Sequence, residues 1–211
     1  MIPERYSIFL SHTKDDKEFC NRFDNAAASV GLRRFRSEFE KIEPPAWKTI
    51  KTEIDKSSAL FLLIGKELVK SQESKSEEWK YTQNWISYEV GLACAIKKDV
   101  WVWCEEQPIN FPVPYLNNYV LYGFGSTDEP YIGFLKIVLE GYNHGLKFPL
   151  GWGKRGFKCP HNKCGAQFNL HNSMPKGSVF ACPTCLREIT LNEDWLMDLH
   201  KKRRKFPLWS R

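Results

Sequence analysis

The apolar residues of the chain fall into short runs that are separated by stretches of mixed polarity. Five runs are rich in aromatic or β-branched residues and are bounded by turn-forming residues, which predicts β-strands. The predicted strands are Tyr6–Leu10, Leu32–Arg36, Ala59–Ile64, Val100–Cys104 and Tyr119–Tyr122. The third run, ALFLLI, has no polar position, which is typical of a parallel strand buried on both faces.

Between these strands, apolar residues recur at helical spacing. The predicted helices are one from SHTKDD to a stop at Gly31, one around 47–54, one at Asn84–Ile96 and one at Glu129–Tyr142. The segments Ser37–Pro45, Gly65–Lys80 and Glu105–Asn118 are predicted loops. Alternating strands and helices predict an α/β fold with a parallel sheet, in which ligands bind at the carboxyl ends of the strands.

Composition and charge narrow the class of protein. With 42% hydrophobic and 27% charged residues, the chain has the composition of a soluble globular protein. Its longest apolar run is too short for a membrane span, and its first residues lack the pattern of a secretion signal, so we expect a cytoplasmic location. No Gly-rich phosphate loop is present, which argues against a Rossmann dehydrogenase or a P-loop NTPase.

The net charge of +6 is unevenly distributed along the chain. Residues 1–152 carry 19 Lys and Arg against 21 Asp and Glu, whereas residues 153–211 carry 12 against 4. The basic excess therefore belongs to the carboxyl-terminal part. It is either a solvated surface or a surface for an acidic partner such as nucleic acid or an acidic protein.

Four cysteines form the strongest motif in the sequence. Cys159-x4-Cys164 and Cys182-x2-Cys185 are two short pairs separated by seventeen residues, a spacing that predicts two knuckles around one tetrahedral metal ion. The segments KCPHNKCG and ACPTC resemble zinc-ribbon knuckles, and Gly165 permits a positive φ after the first. Four thiolates leave no position for water, so we expect the Zn²⁺ to be structural.

Several motifs in the first 145 or so residues resemble those of a TIR (Toll/interleukin-1 receptor) domain. YSIFLSH is similar to the first TIR strand, RFRSEFEKIEPP to the second strand and the BB loop, WISYEVGLA to the Trp-x-x-x-Glu helix, and VWVWC to the fourth strand. The resemblance implies a flavodoxin-like five-stranded parallel sheet with helices on both faces. The resemblance places a TIR domain at 1–147. Composition, cysteine spacing and charge predict a Gly/Pro-rich linker at 148–156, a four-cysteine zinc-ribbon-like module at 157–192 and a basic helix and tail at 193–211.

Some TIR domains cleave NAD⁺, and in those the glutamate of the Trp-x-x-x-Glu helix matters most. Here that residue is Glu89, and Trp85 lies one turn before it on the same helix face. Cleavage of the nicotinamide–ribose bond develops positive charge on the ribose, which a carboxylate stabilises, and Trp85 would pack against the substrate. The alternative is structural: Trp85 packs in the core and Glu89 is a surface charge.

Other residues of the implied NAD⁺ pocket have simpler explanations as well. Ser11, His12 and Lys14 follow the first strand, where the family binds NAD⁺, and their side chains suit ribose and pyrophosphate. Helix capping by Ser11 or Thr13 is the alternative. Glu43 matches a BB-loop acid of some NAD⁺-cleaving members, and a solvated loop charge is its alternative.

Two functions are therefore compatible with the sequence. The first is a TIR-type NAD⁺ nucleosidase that yields ADP-ribose or a cyclic isomer, acts in innate or antiviral defence signalling and is activated by self-association through TIR–TIR contacts. The second is a non-catalytic TIR scaffold whose zinc ribbon docks nucleic acid or a protein. The role of Glu89 separates them.

Overall fold

In a computed structural model, the described residues are 6–36, 46–75, 77–105, 109, 121–124, 129–145, 154–161, 163–171, 179–182, 184–185 and 187–190. They form nine strands and five helices. The strands are β1 (Ser7–Ser11), β2 (Arg33–Arg36), β3 (Ala59–Ile64), β4 (Asp99–Cys104), β5 (Leu121–Phe124), β6 (Lys154–Lys158), β7 (Gln167–His171), β8 (Val179–Ala181) and β9 (Glu188–Thr190). The helices are α1 (Lys17–Ser29), α2 (Ala46–Lys56), α3 (Lys66–Ser74), α4 (Glu77–Ala95) and α5 (Glu129–Asn143).

The α/β class predicted from the sequence is confirmed. Strands β2, β1, β3 and β4 lie side by side in that order and all pair in parallel. Strand β5 continues the parallel pairing next to β4. Because the strands are parallel, their carboxyl ends meet at one edge of the sheet, and the loops that follow β1, β3 and β4 meet there as well.

Helices cover both faces of the central strands. Strand β3 is buried along its whole length, and its alternate side chains enter two separate cores. One core joins Phe61 and Leu63 to α1 and α5, and the other joins Leu60 and Leu62 to α2, α3 and α4. A strand without a polar face requires such double cover, since either uncovered face would leave apolar area in water.

The predicted five-strand count is not confirmed, because the sheet has seven strands. Beyond β5, strand β7 pairs with β5 in parallel and β6 pairs with β7 antiparallel, giving the order β2-β1-β3-β4-β5-β7-β6. Residues 154–156, which are part of the predicted linker, lie in β6. The remaining linker residues and the predicted basic helix and tail at 193–211 fall outside the described residues.

The prediction of a loop at Gly65–Lys80 is wrong. This segment contains helix α3 and the first turn of α4, and the helix predicted from Asn84 starts at Glu77. Leu68, Val69 and Trp79 are buried against the sheet, so the few apolar residues among the charges and serines sit at the positions that face the core. None of the helices in the described part of the chain is long and apolar enough to cross a membrane.

The start of α3 is held by carboxylates from other segments. Asp16 stands at the start of α1, yet its oxygens accept the backbone N–H groups of Glu67 at 2.8 Å and Leu68 at 3.1 Å. Glu105, after β4, accepts the N–H of Lys66 at 3.2 Å. The first three N–H groups of α3, which have no partner inside the helix, are thereby satisfied, and the loops after β1, β3 and β4 are tied together.

Gly65 allows the close approach of Asp16. A Cβ at this position would overlap the Asp16 carboxylate and would lie only 2.7 Å from the Cβ of that residue. We expect Gly65→Ala to push Asp16 away from α3 and to lower the free energy of unfolding by about 1–3 kcal/mol. Urea denaturation measures the change.

The matched control is Gly91→Ala in α4, where a Cβ meets no atom within 4 Å. That variant should be neutral or more stable by up to about 1 kcal/mol, because alanine favours the helix. Equal stability of the Gly65→Ala variant and the natural chain would contradict a tight Asp16–α3 contact.

Candidate functional site

Glu89 is a buried carboxylate on helix α4. It is 5% exposed, although its neighbours on the buried side of the helix, Ile86, Val90 and Ala93, are all apolar. Burying a carboxylate is unfavourable unless hydrogen bonds or charges compensate. Among described residues the other buried carboxylate is Asp16, which holds the start of α3. The burial of Glu89, unlike that of Asp16, is therefore not explained by a role in holding the start of a helix.

The hydroxyl of Ser11 donates a hydrogen bond to Glu89 Oε2. Ser11 is the last residue of β1 and is 1% exposed, so this contact lies at the carboxyl edge of the sheet. The end of β1 and helix α4 meet here, although the two residues are 78 positions apart in the sequence. The hydrogen bond fixes the direction of the carboxylate and stabilises its charge.

An aromatic groove lies on the outer side of α4, the helix that carries Glu89. It has a volume of about 390 Å³ and is lined by Trp47 from the start of α2 and by Tyr81, Asn84, Trp85 and Tyr88 from α4. Asn84, Trp85 and Tyr88 follow Tyr81 by three, four and seven positions, so the four residues share one face of the helix. At about 100° per residue, Glu89 lies between this aromatic face and the buried face.

The aromatic rings of the groove are unusually accessible. Tyr81 is 71% exposed and Trp85 is 47% exposed, and the Trp85 and Tyr88 rings meet edge to face with centroids 6.0 Å apart. Large aromatic side chains are normally more deeply buried than these. The groove therefore offers ring faces and one amide, that of Asn84, to a flat ligand or to another protein.

The structural alternative for the Trp-x-x-x-Glu helix is wrong in both parts. Trp85 does not pack in the core but lines the groove, and Glu89 is buried rather than on the surface. Helix capping by Ser11 is also wrong, because its hydroxyl is directed to Glu89. Thr13 accepts the backbone N–H of Asp15 at 2.9 Å, which stabilises the turn before α1.

His12 is held as a neutral imidazole. Its Nε2 accepts a hydrogen bond from Arg36 Nε at 2.9 Å, and its Nδ1 lies 3.0 Å from the carbonyl oxygen of Thr13. A proton on Nδ1 satisfies both contacts. Burial, helped by the charge of Arg36, lowers the pKa of His12 from 6.5 to about 4, so the ring is uncharged near neutrality.

The other two predicted pocket residues contribute less to the described site. Lys14 is exposed in the turn after β1, on the same edge of the sheet as Ser11. Glu43 lies outside the described residues, so its predicted contact with NAD⁺ stays a prediction.

The structure brings together the four predicted metal ligands. The sulfur atoms of Cys159, Cys164, Cys182 and Cys185 all lie within 4.8 Å of one another. Cys159 and Cys185 have sulfurs 3.8 Å apart, as do Cys164 and Cys182. A tetrahedral ion with metal–sulfur bonds of about 2.3 Å separates its ligand sulfurs by about 3.8 Å, so the cluster fits a metal ion of that size.

Backbone conformation and burial around the cysteines both bear on metal binding. Gly165 has the predicted positive φ, at +59°, directly after Cys164. The thiols of Cys159 and Cys182 are buried, which raises their pKa values above the ordinary range. A positive ion among them would favour the thiolate forms, so metal binding should release protons.

The sequence predicts no function for several residues that lie near His12 or line the aromatic groove. The pattern places Arg36 only in a strand, and it assigns Trp47, Tyr81, Asn84 and Tyr88 to no site. The signal for the α4 residues is their helical spacing around Trp85, which the predicted loop up to Lys80 hides. For Arg36 no signal exists in the sequence, since its contact with His12 depends on the pairing of β1 with β2.

No protein-family model matches this chain, and no curated protein is significantly similar to it. The function must therefore be inferred from the chemistry of the two sites.

The neutral state of His12 makes stability depend on pH. The unfolded chain binds a proton at His12 below about pH 6.5, whereas the folded chain does so only below about pH 4. We expect the free energy of unfolding to fall by roughly 1–3 kcal/mol as the pH decreases from 6.5 to 4. Above pH 6.5 the contribution of His12 should not change with pH.

Urea denaturation of the natural chain and of His12→Gln across this range isolates the effect. Glutamine can accept the Arg36 hydrogen bond but does not titrate, so the stability advantage of the natural chain over this variant should shrink towards pH 4. His144→Gln, at an exposed histidine, is the control and should parallel the natural chain. Parallel curves for His12→Gln and the natural chain would contradict the buried neutral state.

Proposed function

We propose that this chain is a TIR-type NAD⁺ nucleosidase in which Glu89 acts on the ribose. The observation that carries the proposal is the buried Glu89 carboxylate, held by Ser11 at the carboxyl edge of the sheet, on the helix whose outer side lines an open aromatic groove. A carboxylate of known direction in a largely water-free position is suited to stabilise a developing cation. A strongly buried ionisable group beside a groove is also a common mark of a functional site.

The proposed reaction needs one carboxylate. As the bond between the ribose anomeric carbon and the nicotinamide nitrogen breaks, its electrons neutralise the pyridinium ring and positive charge develops on the ribose. Nicotinamide leaves as a neutral molecule, so no acid is needed. Glu89 stabilises the ribose cation until water, or a nucleophile of the same substrate, attacks the anomeric carbon. Water gives ADP-ribose and one proton, and internal attack gives a cyclic isomer.

Surrounding residues take supporting roles in this proposal. Ser11 directs Glu89 through its hydrogen bond, and Trp85 contributes a ring face on which a flat base can stack. The neutral His12 and the Arg36 that contacts it stand at the same edge of the sheet as Ser11. Lys14 remains our candidate for the pyrophosphate, as an exposed cation in the loop after β1.

The family assignment is part of the proposal. The strand order β2-β1-β3-β4-β5 is the flavodoxin-like order, which agrees with the sheet implied by the TIR-like motifs. We propose with it a cytoplasmic role in defence signalling and activation by self-association, both from the resemblance of the motifs. The basic carboxyl-terminal part would contact nucleic acid or a protein.

A second function is favoured by the exposed aromatic residues. Trp47, Tyr81, Trp85 and Tyr88 together form the kind of surface that protein partners bury, since aromatic residues dominate the centres of interfaces. A TIR scaffold without catalysis would use the groove in this way. In that case the buried Glu89 would be a structural residue.

We propose Zn²⁺ as the ion of the four-cysteine cluster. Four clustered sulfurs, with two pairs of them 3.8 Å apart, suit zinc, and the set leaves no open position, so the ion would have a structural role. Catalysis is accordingly assigned to Glu89.

Replacement of Glu89 should abolish NAD⁺ cleavage without unfolding the chain. We expect Glu89→Gln to reduce the rate of NAD⁺ loss on the order of 100-fold or more, because the amide keeps an acceptor for Ser11 but loses the negative charge. The measurement follows NAD⁺, nicotinamide and ADP-ribose products by chromatography at high protein concentration. Thermal denaturation verifies that the variant is folded.

Glu77→Gln is the matched control, since Glu77 is an exposed glutamate on the same helix. It should cleave NAD⁺ at the natural rate. If the natural chain leaves NAD⁺ intact, even with crowding agents and nucleic acid added to promote assembly, the enzyme proposal fails and the scaffold is favoured.

The metal proposal predicts one Zn²⁺ per chain. We expect Cys164→Ser to weaken zinc binding on the order of 100-fold, about a quarter of the binding free energy of a structural zinc site. Competition with a chromophoric chelator measures the affinity. Cys94→Ser, at a cysteine outside the cluster, should bind zinc as the natural chain does. A natural chain that binds no zinc after loading would refute the assignment.

A further inference from the structure

The outer edge of the seven-stranded sheet is a β-hairpin made by β6 and β7. Five residue pairs join these two strands, from Lys158↔Gln167 to Lys154↔His171. The hairpin is attached to the rest of the sheet through β5, by the pairs Leu121↔Asn169 and Tyr122↔Leu170. The attachment is thus much shorter than the six-residue pairing of β3 with β4.

The turn of this hairpin carries two of the four clustered cysteines. Cys159 directly follows β6, and its backbone N–H donates to the carbonyl of Ala166, just before β7, at 2.8 Å. Cys164 lies within the same turn, where its N–H donates to the carbonyl of His161 at 2.8 Å. The first knuckle and the outermost hairpin of the sheet are therefore one structural unit.

The other two cysteines lie in the turn of a second hairpin. Strands β8 and β9 pair over three residues, and Cys182 directly follows β8. The N–H of Cys182 donates to the carbonyl of Arg187 at 2.8 Å, which closes the turn that also contains Cys185. Each of the two 3.8 Å sulfur contacts joins one turn to the other. A metal ion at this point would bind the two hairpins to each other.

Neither hairpin has much to stabilise it alone. An isolated two-stranded hairpin is marginal in water, and small modules with four cysteine ligands gain most of their folding free energy from the metal. The buried cysteines Cys159 and Cys182, with Ile189 of β9, belong to the same packed cluster as the α2, α3 and α4 side of the sheet. Removing the ion would leave only this apolar packing to join the two turns.

We propose that metal occupancy decides whether β5 is an inner or an edge strand of the α/β sheet. With the ion bound, the β6–β7 hairpin is fixed in place and β7 covers the outer side of β5. Without the ion, the hairpin separates from the sheet and β5 exposes its outward N–H and C=O groups to water. The four cysteines therefore control an edge of the sheet as well as their own module, an inference that rests on the proposed metal binding.

Hydrogen exchange measured by mass spectrometry on the full chain tests this proposal. Zinc-loaded protein is compared with protein treated with a strong chelator, following peptides that contain β7, β5 and β3. We expect exchange in β7, and of the β5 amides that face β7, to rise at least about tenfold on metal removal. The β5 amides that face β4, and all of β3, should keep their protection, and added Zn²⁺ should restore the rest.

Two results would overturn the proposal. Unchanged protection of β5 and β7 after metal removal would show that the hairpin holds to the sheet unaided. Equal loss of protection in β3 would show that the metal supports the whole domain and not one edge. Metal analysis of the same samples separates these results from a failure of metal binding, in which the loaded chain would contain no zinc.

A pair of variants gives an independent test. The double variant Cys164→Ser, Cys185→Ser should show the exchange pattern of the chelated natural chain without any chelator. Cys94→Ser, which leaves the cluster intact, should show the pattern of the zinc-loaded chain. If the double variant does not fold, the chelator experiment on the natural chain still decides the outcome.

Discussion

Strand β3 has no side that water can reach, and much of the molecule follows from this constraint. Its six residues alternate between two cores, so helices must cover both faces of the sheet. Helices α1 and α5 cover one face and α2, α3 and α4 the other. Because the strands are parallel, the loops after β1, β3 and β4 lie at a single edge. Ser11, Asp16, Gly65 and Glu105 all lie there. Three of the four buried polar or charged residues in the described part of the chain, Ser11, Asp16 and Glu89, lie at this edge.

The two buried carboxylates at this edge have different roles. Asp16 accepts hydrogen bonds from backbone N–H groups of α3, which joins the loop after β1 to the start of that helix. Its role is therefore structural. Glu89 accepts a hydrogen bond from the side chain of Ser11 instead, and it stands between the core and an open groove. The difference between them distinguishes a structural acid from a catalytic candidate, and only the packing of α4 reveals it.

Local patterns in the sequence predict those parts of the fold that depend on them. The ends of Ala59–Ile64 are predicted correctly because its apolar run has no competing interpretation, and the cysteine spacing leads directly to the cluster. Helix α3 escapes prediction because its buried residues, Leu68 and Val69, are too few to show a period. The extension of the sheet by β7 could not be predicted, since the pairing of distant strands leaves no mark on local composition. The same applies to the hydrogen bond between Ser11 and Glu89, which are 78 residues apart.

The contact between Asp16 and α3 also limits where the domain could bind an anion. In open parallel sheets, the amino end of a helix that follows a strand is the common seat for a phosphate group. In this chain the carboxylate of Asp16 occupies that position at the start of α3. A side chain at Gly65 would overlap Asp16 and exclude it. The start of α3, directly after β3, is therefore already occupied by a carboxylate of the chain itself. An anionic ligand could bind at the start of α3 only if Asp16 moved away.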